Sequence, residues 1–137
     1  MTKLNYIKIC TKASYAIRTI KNKFNYTYTF GLPSQLLSYD ASGASDTWAM
    51  MVAKIPYAYT VELGPTSQES YENIEFFYGF HVEDKKIKYI VERAYAGLRD
   101  YMKTFVFKIN KDILSEIDKQ CAFDFDILKK NSSGYWN

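Results

Sequence analysis

From Ile87 to Phe105 apolar side chains recur at steps of three and four: Ile87, Ile90, Val91, Ala94, Leu98, Tyr101, Met102 and Phe105. An α-helix turns once in 3.6 residues, so this spacing gathers them on one stripe and predicts a helix over 87–105. A stripe of that length needs a surface to cover it, because an amphipathic helix draws most of its stability from packing. Its charges, Lys85, Lys86, Lys88, Glu92, Arg93, Arg99 and Asp100, read as the solvated face. A second run, Tyr6, Ile9, Cys10, Ala13, Ala16, Ile17, Ile20 and Phe24, predicts a helix over 4–24 with Cys10 as a core thiol.

Between the two helices the period changes. Tyr26, Tyr28 and Phe30 alternate with Thr27 and Thr29, and Gly31 and Pro33 stop the run, as expected of a strand. Residues 31–45 read as a loop, and Ser45 as the cap of a short helix over 46–53. Over 57–63, Tyr57, Tyr59 and Val61 share one face while Ala58, Thr60 and Glu62 share the other. Apart from Glu62 both faces are apolar, as in a strand inside a larger sheet covered on both sides. Two strands make no stable sheet by themselves, so the expectation is part of a larger domain. Residues 106–137 give a weaker signal: Ile109, Ile113, Ile117 and Cys121 hint at a helix, and Phe123, Phe125 and Ile127 alternate briefly.

Several function classes fall away. The net charge of +3 is small and its positive residues are scattered, which argues against a nucleic-acid partner. No apolar run reaches the ~20 residues of a membrane span, so no membrane partner is expected. Met1–Cys10 lacks the apolar block of a signal peptide. Two cysteines allow one disulfide at most, and their spacing fits no metal knuckle.

Glu62 carries the chemical question. A carboxylate in an apolar strand either points to water at a sheet edge or is held there as a general base. Its surroundings are informative. The run Tyr39-Asp40-Ala41-Ser42-Gly43-Ala44-Ser45-Asp46-Thr47-Trp48 resembles the substrate-covering loop of zinc carboxypeptidases of the pancreatic A/B type. Ile55-Pro56-Tyr57-Ala58-Tyr59-Thr60-Val61-Glu62-Leu63 resembles that family's strand ending in the catalytic glutamate, and Tyr78-Gly79-Phe80 with the following helix resembles its closing loop and C-terminal helix. The resemblance spans roughly residues 10–105. Residues 1–105 are accordingly expected to be the C-terminal portion of a carboxypeptidase domain, with 106–137 an unassigned tail.

The resemblance implies an α/β fold, a fragment of a mixed twisted sheet flanked by helices. It implies removal of the C-terminal residue from peptides or proteins in an extracellular, secreted setting, with Glu62 as the catalytic carboxylate. Tyr39, Ala41, Ala44, Asp46 and Thr60 would bind substrate, Tyr39 from a covering loop and Asp46 at the base of the terminal-side-chain pocket. An aspartate there goes with Lys or Arg C-termini. The family's Zn2+ is held by two histidines and a glutamate in a His-x-x-Glu motif plus a third ligand. These ligands are absent from this chain, whose single histidine, His81, follows Glu62. Gly64 stands where the family commonly has a basic residue. The chain by itself is therefore expected to be inactive, and the alternative is a non-enzymatic remnant or binding module derived from the fold.

Overall fold

The computed structural model describes residues 2–36, 43–64, 82 and 84–131. Helix α1 (Lys3–Phe24) opens on Thr2, whose side chain accepts from the Asn5 N–H, and closes on Asn25 in the left-handed region, φ 53°. Asparagine tolerates that conformation better than most residues, which fixes the helix end. A short turn, α2 (Pro33–Leu36), and α3 (Ser45–Met51) follow. The long helices α4 (Asp84–Val106) and α5 (Lys111–Asn131) complete the described chain.

Helix α1 is the spine, with α4 packed on one side and α5 on the other. Against α5 lies an apolar cluster: Tyr6 and Cys10 from α1, Ile117, Cys121 and Phe125 from α5. Cys10 and Cys121 form a disulfide across this seam, so Cys10 is bonded rather than the core thiol expected from its position. Around the rim Lys3 pairs with Asp126 at 2.6 Å and Arg18 with Glu116 at 3.1 Å, while the Thr11 hydroxyl donates to Asp118.

Against α4 the contact is closer. A Cβ at Gly97 would stand 2.5 Å from Cδ1 of Ile20, so the bare glycine lets the helices approach there. Arg93 is fully buried beside it on the same face of α4. Its guanidinium stacks 3.2 Å from the centroid of the Tyr26 ring, and Nη2 donates to the Gly64 carbonyl at 3.3 Å.

The mixed twisted sheet expected from the sequence is not what forms: the described residues contain helices and no strand. Residues 26–30 and 57–63 have no regular secondary structure. The alternation that suggested strands is real at Tyr57 and Tyr59, whose rings both meet α4, on Phe105 and Tyr101 respectively. Alternation alone makes no sheet, because a strand is stable only beside hydrogen-bonded neighbours. Instead these tyrosines anchor the segment by side-chain hydrogen bonds. The Tyr59 hydroxyl donates to the Ile9 carbonyl at 2.9 Å, and that of Tyr26 to the Gly64 carbonyl at 2.6 Å.

Candidate substrate-recognition site

Segment 57–59 lies across the seam between α1 and α4. Lys12 reaches over from α1, its ammonium 3.8 Å from the Phe105 ring centroid and 5.2 Å from that of Tyr57. The same Nζ donates to the carbonyl and hydroxyl of Thr104. Burial lowers the Lys12 pKa, since a desolvated ammonium loses hydration that ring faces replace only partly. Burial also pushes the Tyr59 phenol far above the usual tyrosine range, with Tyr101 and Tyr57 adding to the shift. Tyr59 is therefore a fixed hydrogen-bond donor.

Anchored at Tyr57 and Tyr59, the chain emerges at Thr60, Val61, Glu62 and Leu63, all exposed. The Thr60 hydroxyl donates to Oδ2 of Asp46 at 3.1 Å. Asp46 lies in the first turn of α3, where the helix dipole favours a carboxylate, and its Oδ1 accepts the Thr47 N–H at 2.6 Å. Ala44 is the N-cap residue of α3 and supplies no side-chain cap. Ser45, expected to be the cap, instead begins the helix itself.

Of the residues singled out from the sequence, Ala44, Asp46 and Thr60 come together around the start of α3. Glu62 follows two residues beyond Thr60, exposed, with no hydrogen bond or ion pair among the described residues. Tyr39, Ala41 and His81 lie outside the described residues. Two surface hollows lie elsewhere, one along α5 at Asp112, Glu116 and Gln120, the other lined by Tyr6, Phe30 and Leu36. Sequence reading missed Arg93, taken for a solvated charge. Its signal was positional, three residues after Ile90 and four before Gly97 on the packed face.

A zinc ion asks for three protein ligands and an open position. Among the described residues no group of three or more His, Cys, Asp or Glu could hold a metal, and both cysteines are oxidised. The described residues do not fit a catalytic zinc. What they can do is hold a carboxylate, Asp46, beside a hydroxyl, and present a second carboxylate, Glu62, to solvent.

No curated protein and no solved structure matches the chain. The sequence pattern of one family does, and its description is zinc carboxypeptidase; the match runs over residues 3–97, from the start of α1 to Gly97 in α4. On that match, which takes in more than half of its 137 residues, the chain belongs to the zinc carboxypeptidase family.

Proposed function

We propose that this chain serves in removing the C-terminal residue of peptides, as the substrate-selecting part of a carboxypeptidase of the pancreatic type. Asp46 and Thr60 form the selector for a basic terminal side chain, and Glu62 is the carboxylate that accepts and returns a proton. The observation that carries this reading is the Thr60–Asp46 hydrogen bond, which joins two residues 14 apart in sequence that the family resemblance assigns to one pocket. A carboxylate already held by a hydroxyl and a backbone N–H is oriented to receive an ammonium or guanidinium, whereas an apolar side chain would cost it solvation. Zinc ligands come from residues outside this sequence. The Cys10–Cys121 bridge supports an oxidising, extracellular setting.

Recognition can be tested on the chain itself by following backbone amides by NMR during titration with peptides ending in Lys, Arg, Leu or Phe. The basic peptides should move the amides of Asp46, Thr47 and Thr60, and Asp46→Asn should abolish the response. Equal shifts with Leu or Phe ends, or none, would remove the selector. In a longer protein that includes zinc ligands, Glu62→Gln should lower turnover by at least ~100-fold with zinc still bound. A non-enzymatic binding module is the second reading, favoured by the absence of a metal-ligand group among the described residues. It predicts peptide binding with no turnover in any longer product.

A further inference from the structure

Helix α1 closes on Asn25, and the chain there reads Asn25-Tyr26-Thr27, the Asn-x-Thr triplet that accepts an N-linked oligosaccharide. Such triplets arise by chance, so the surroundings decide whether this one is usable. Tyr26 is 8% exposed; its ring stacks on Arg93 and its hydroxyl donates to the Gly64 carbonyl at 2.6 Å. With the middle residue pinned inward, Asn25 and Thr27 stand exposed on either side of it. Among the described residues neither the Asn25 carboxamide nor the Thr27 hydroxyl has a hydrogen-bond partner.

The backbone accounts for Asn25 but not for Thr27. At φ 53° the helix end favours glycine or asparagine, and glycine would serve as well. No hydrogen bond among the described residues calls for a threonine at 27, whereas transfer requires a hydroxyl residue two places after the asparagine. Lys21, Asn22, Lys23 and Thr29 around them are exposed too, a polar surface with room for a bulky, hydrated chain. The Cys10–Cys121 bridge supports the matching compartment, because disulfides form in the oxidising lumen of the secretory route, where sugars are also attached to asparagine. We propose that Asn25 carries an N-linked oligosaccharide. The modification shares the oxidising setting of the proposed function and is independent of the peptidase reading.

The transfer is a substitution at the anomeric carbon of a lipid-linked oligosaccharide pyrophosphate. The bond from that carbon to the pyrophosphate oxygen breaks, and a bond to Nδ2 of Asn25 forms. Nδ2 gives up one proton, the lipid pyrophosphate leaves with the electron pair, and nothing is oxidised or reduced. A glycan on the exposed end of α1 stands clear of the Tyr26–Arg93 stack, so it can be attached before the chain folds without blocking either seam of α1.

Expression of the full chain in eukaryotic cells behind a cleavable secretory leader, followed by peptide mass mapping, tests this without any peptidase assay. The peptide bearing Asn25 should arrive with an added oligosaccharide mass that peptide N-glycosidase removes, leaving an aspartate in place of Asn25. Mapping by peptide separates this site from Asn131-Ser132-Ser133, a second triplet that runs beyond the described residues. Thr27→Ala should abolish the added mass and Thr27→Ser should retain it. Asn25→Gly should abolish it while keeping the left-handed helix end and the helical circular dichroism. Taking the whole leader-cleaved pool, retained and secreted, keeps a poorly secreted variant informative. An unmodified Asn25 in a chain whose bridge has formed would overturn the proposal and leave the oxidising setting standing. An unmodified Asn25 beside reduced cysteines would remove both, and an added mass that survives Thr27→Ala would overturn the proposal as well.

Discussion

Against α5, helix α1 sets Tyr6 and Cys10 into an apolar cluster closed by a disulfide, with charged pairs kept to the rim. Against α4 the same helix sets Lys12, Thr19 and Ile20, and the seam is filled by a buried guanidinium, tyrosine rings and a glycine. The first seam gains its stability from apolar burial, which is non-directional, and from a covalent tie. The second depends on directed contacts: a cation on a ring face, a hydroxyl on a carboxylate, an ammonium on a backbone oxygen. The family match ends at Gly97, so it takes in the part of the directed seam around Arg93 and Gly97 but not Asp100, Tyr101, Thr104 or Phe105, and it stops short of α5. The segment that carries Asp46, Thr60 and Glu62 is anchored on the directed seam, so the candidate site rests on the more easily perturbed half of the molecule.

The largest effect should come from opening the tie. Cys10 and Cys121 are 111 residues apart, and a bridge closing so long a loop restricts the unfolded chain strongly. Reduction, or Cys10→Ala with Cys121→Ala, should lower the unfolding free energy by about 2–4 kcal/mol in urea titrations. Hydrogen exchange should rise first in residues 111–131. If exchange rose equally in α4, the two seams would be one cooperative unit and the contrast between them would fail.

Arg93 sharpens the contrast from the other side. Its Nε and the hydroxyl of Tyr28 are buried with no hydrogen-bond partner, and no ion pair to the guanidinium occurs among the described residues. Arg93→Ala should cost about 2–4 kcal/mol, chiefly through the cavity left by a long buried side chain. Arg93→Met fills most of that space without a charge to desolvate and should recover the greater part. Should Met prove as costly as Ala in thermal melts, the stack on Tyr26 rather than volume holds the seam.

This division explains what could be read from the sequence. Helices α1 and α4 follow from their steps of three and four, which register wherever one face is buried. Ile113, Ile117 and Cys121 likewise marked α5, and Ile117 and Cys121 are core residues. The trail was lost at Phe123, Phe125 and Ile127, where Phe125 is buried and Phe123 exposed on one continuous helix. Sheet membership depends on which chain lies alongside, and no local pattern states that. Asp46 and Thr60 were singled out through the resemblance, and the structure sets them 3.1 Å apart; their role in substrate binding is the proposal made above. The burial of Arg93 was not legible, because a charged side chain on a helix gives the same letter whether it meets water or a tyrosine face.

Asp100 offers the smallest and most selective test, since its carboxylate joins α4 to α1 and comparison with Asp100→Asn isolates its contribution. The Asp100 side chain accepts from the Thr19 hydroxyl of α1 at 2.9 Å, from Lys103 Nζ at 2.8 Å and from Arg99 Nε at 3.1 Å. Partial burial works against its charge and would raise its pKa, but the hydrogen bonds from Lys103, Thr19 and Arg99 outweigh this and hold the carboxyl below its usual range. A carboxyl depressed in the folded state contributes stability above its unfolded pKa of about 3.9, and that contribution is lost as pH falls through the lower folded value. Asp100→Asn should therefore be less stable than the unaltered chain by about 1 kcal/mol at pH well above 4, and the two should converge in more acid solution. Thermal melts across that range measure the gap. A gap that stayed constant with pH would mean that Asp100 acts through shape and not charge, and the α4 seam would then be no more electrostatic than the α5 seam.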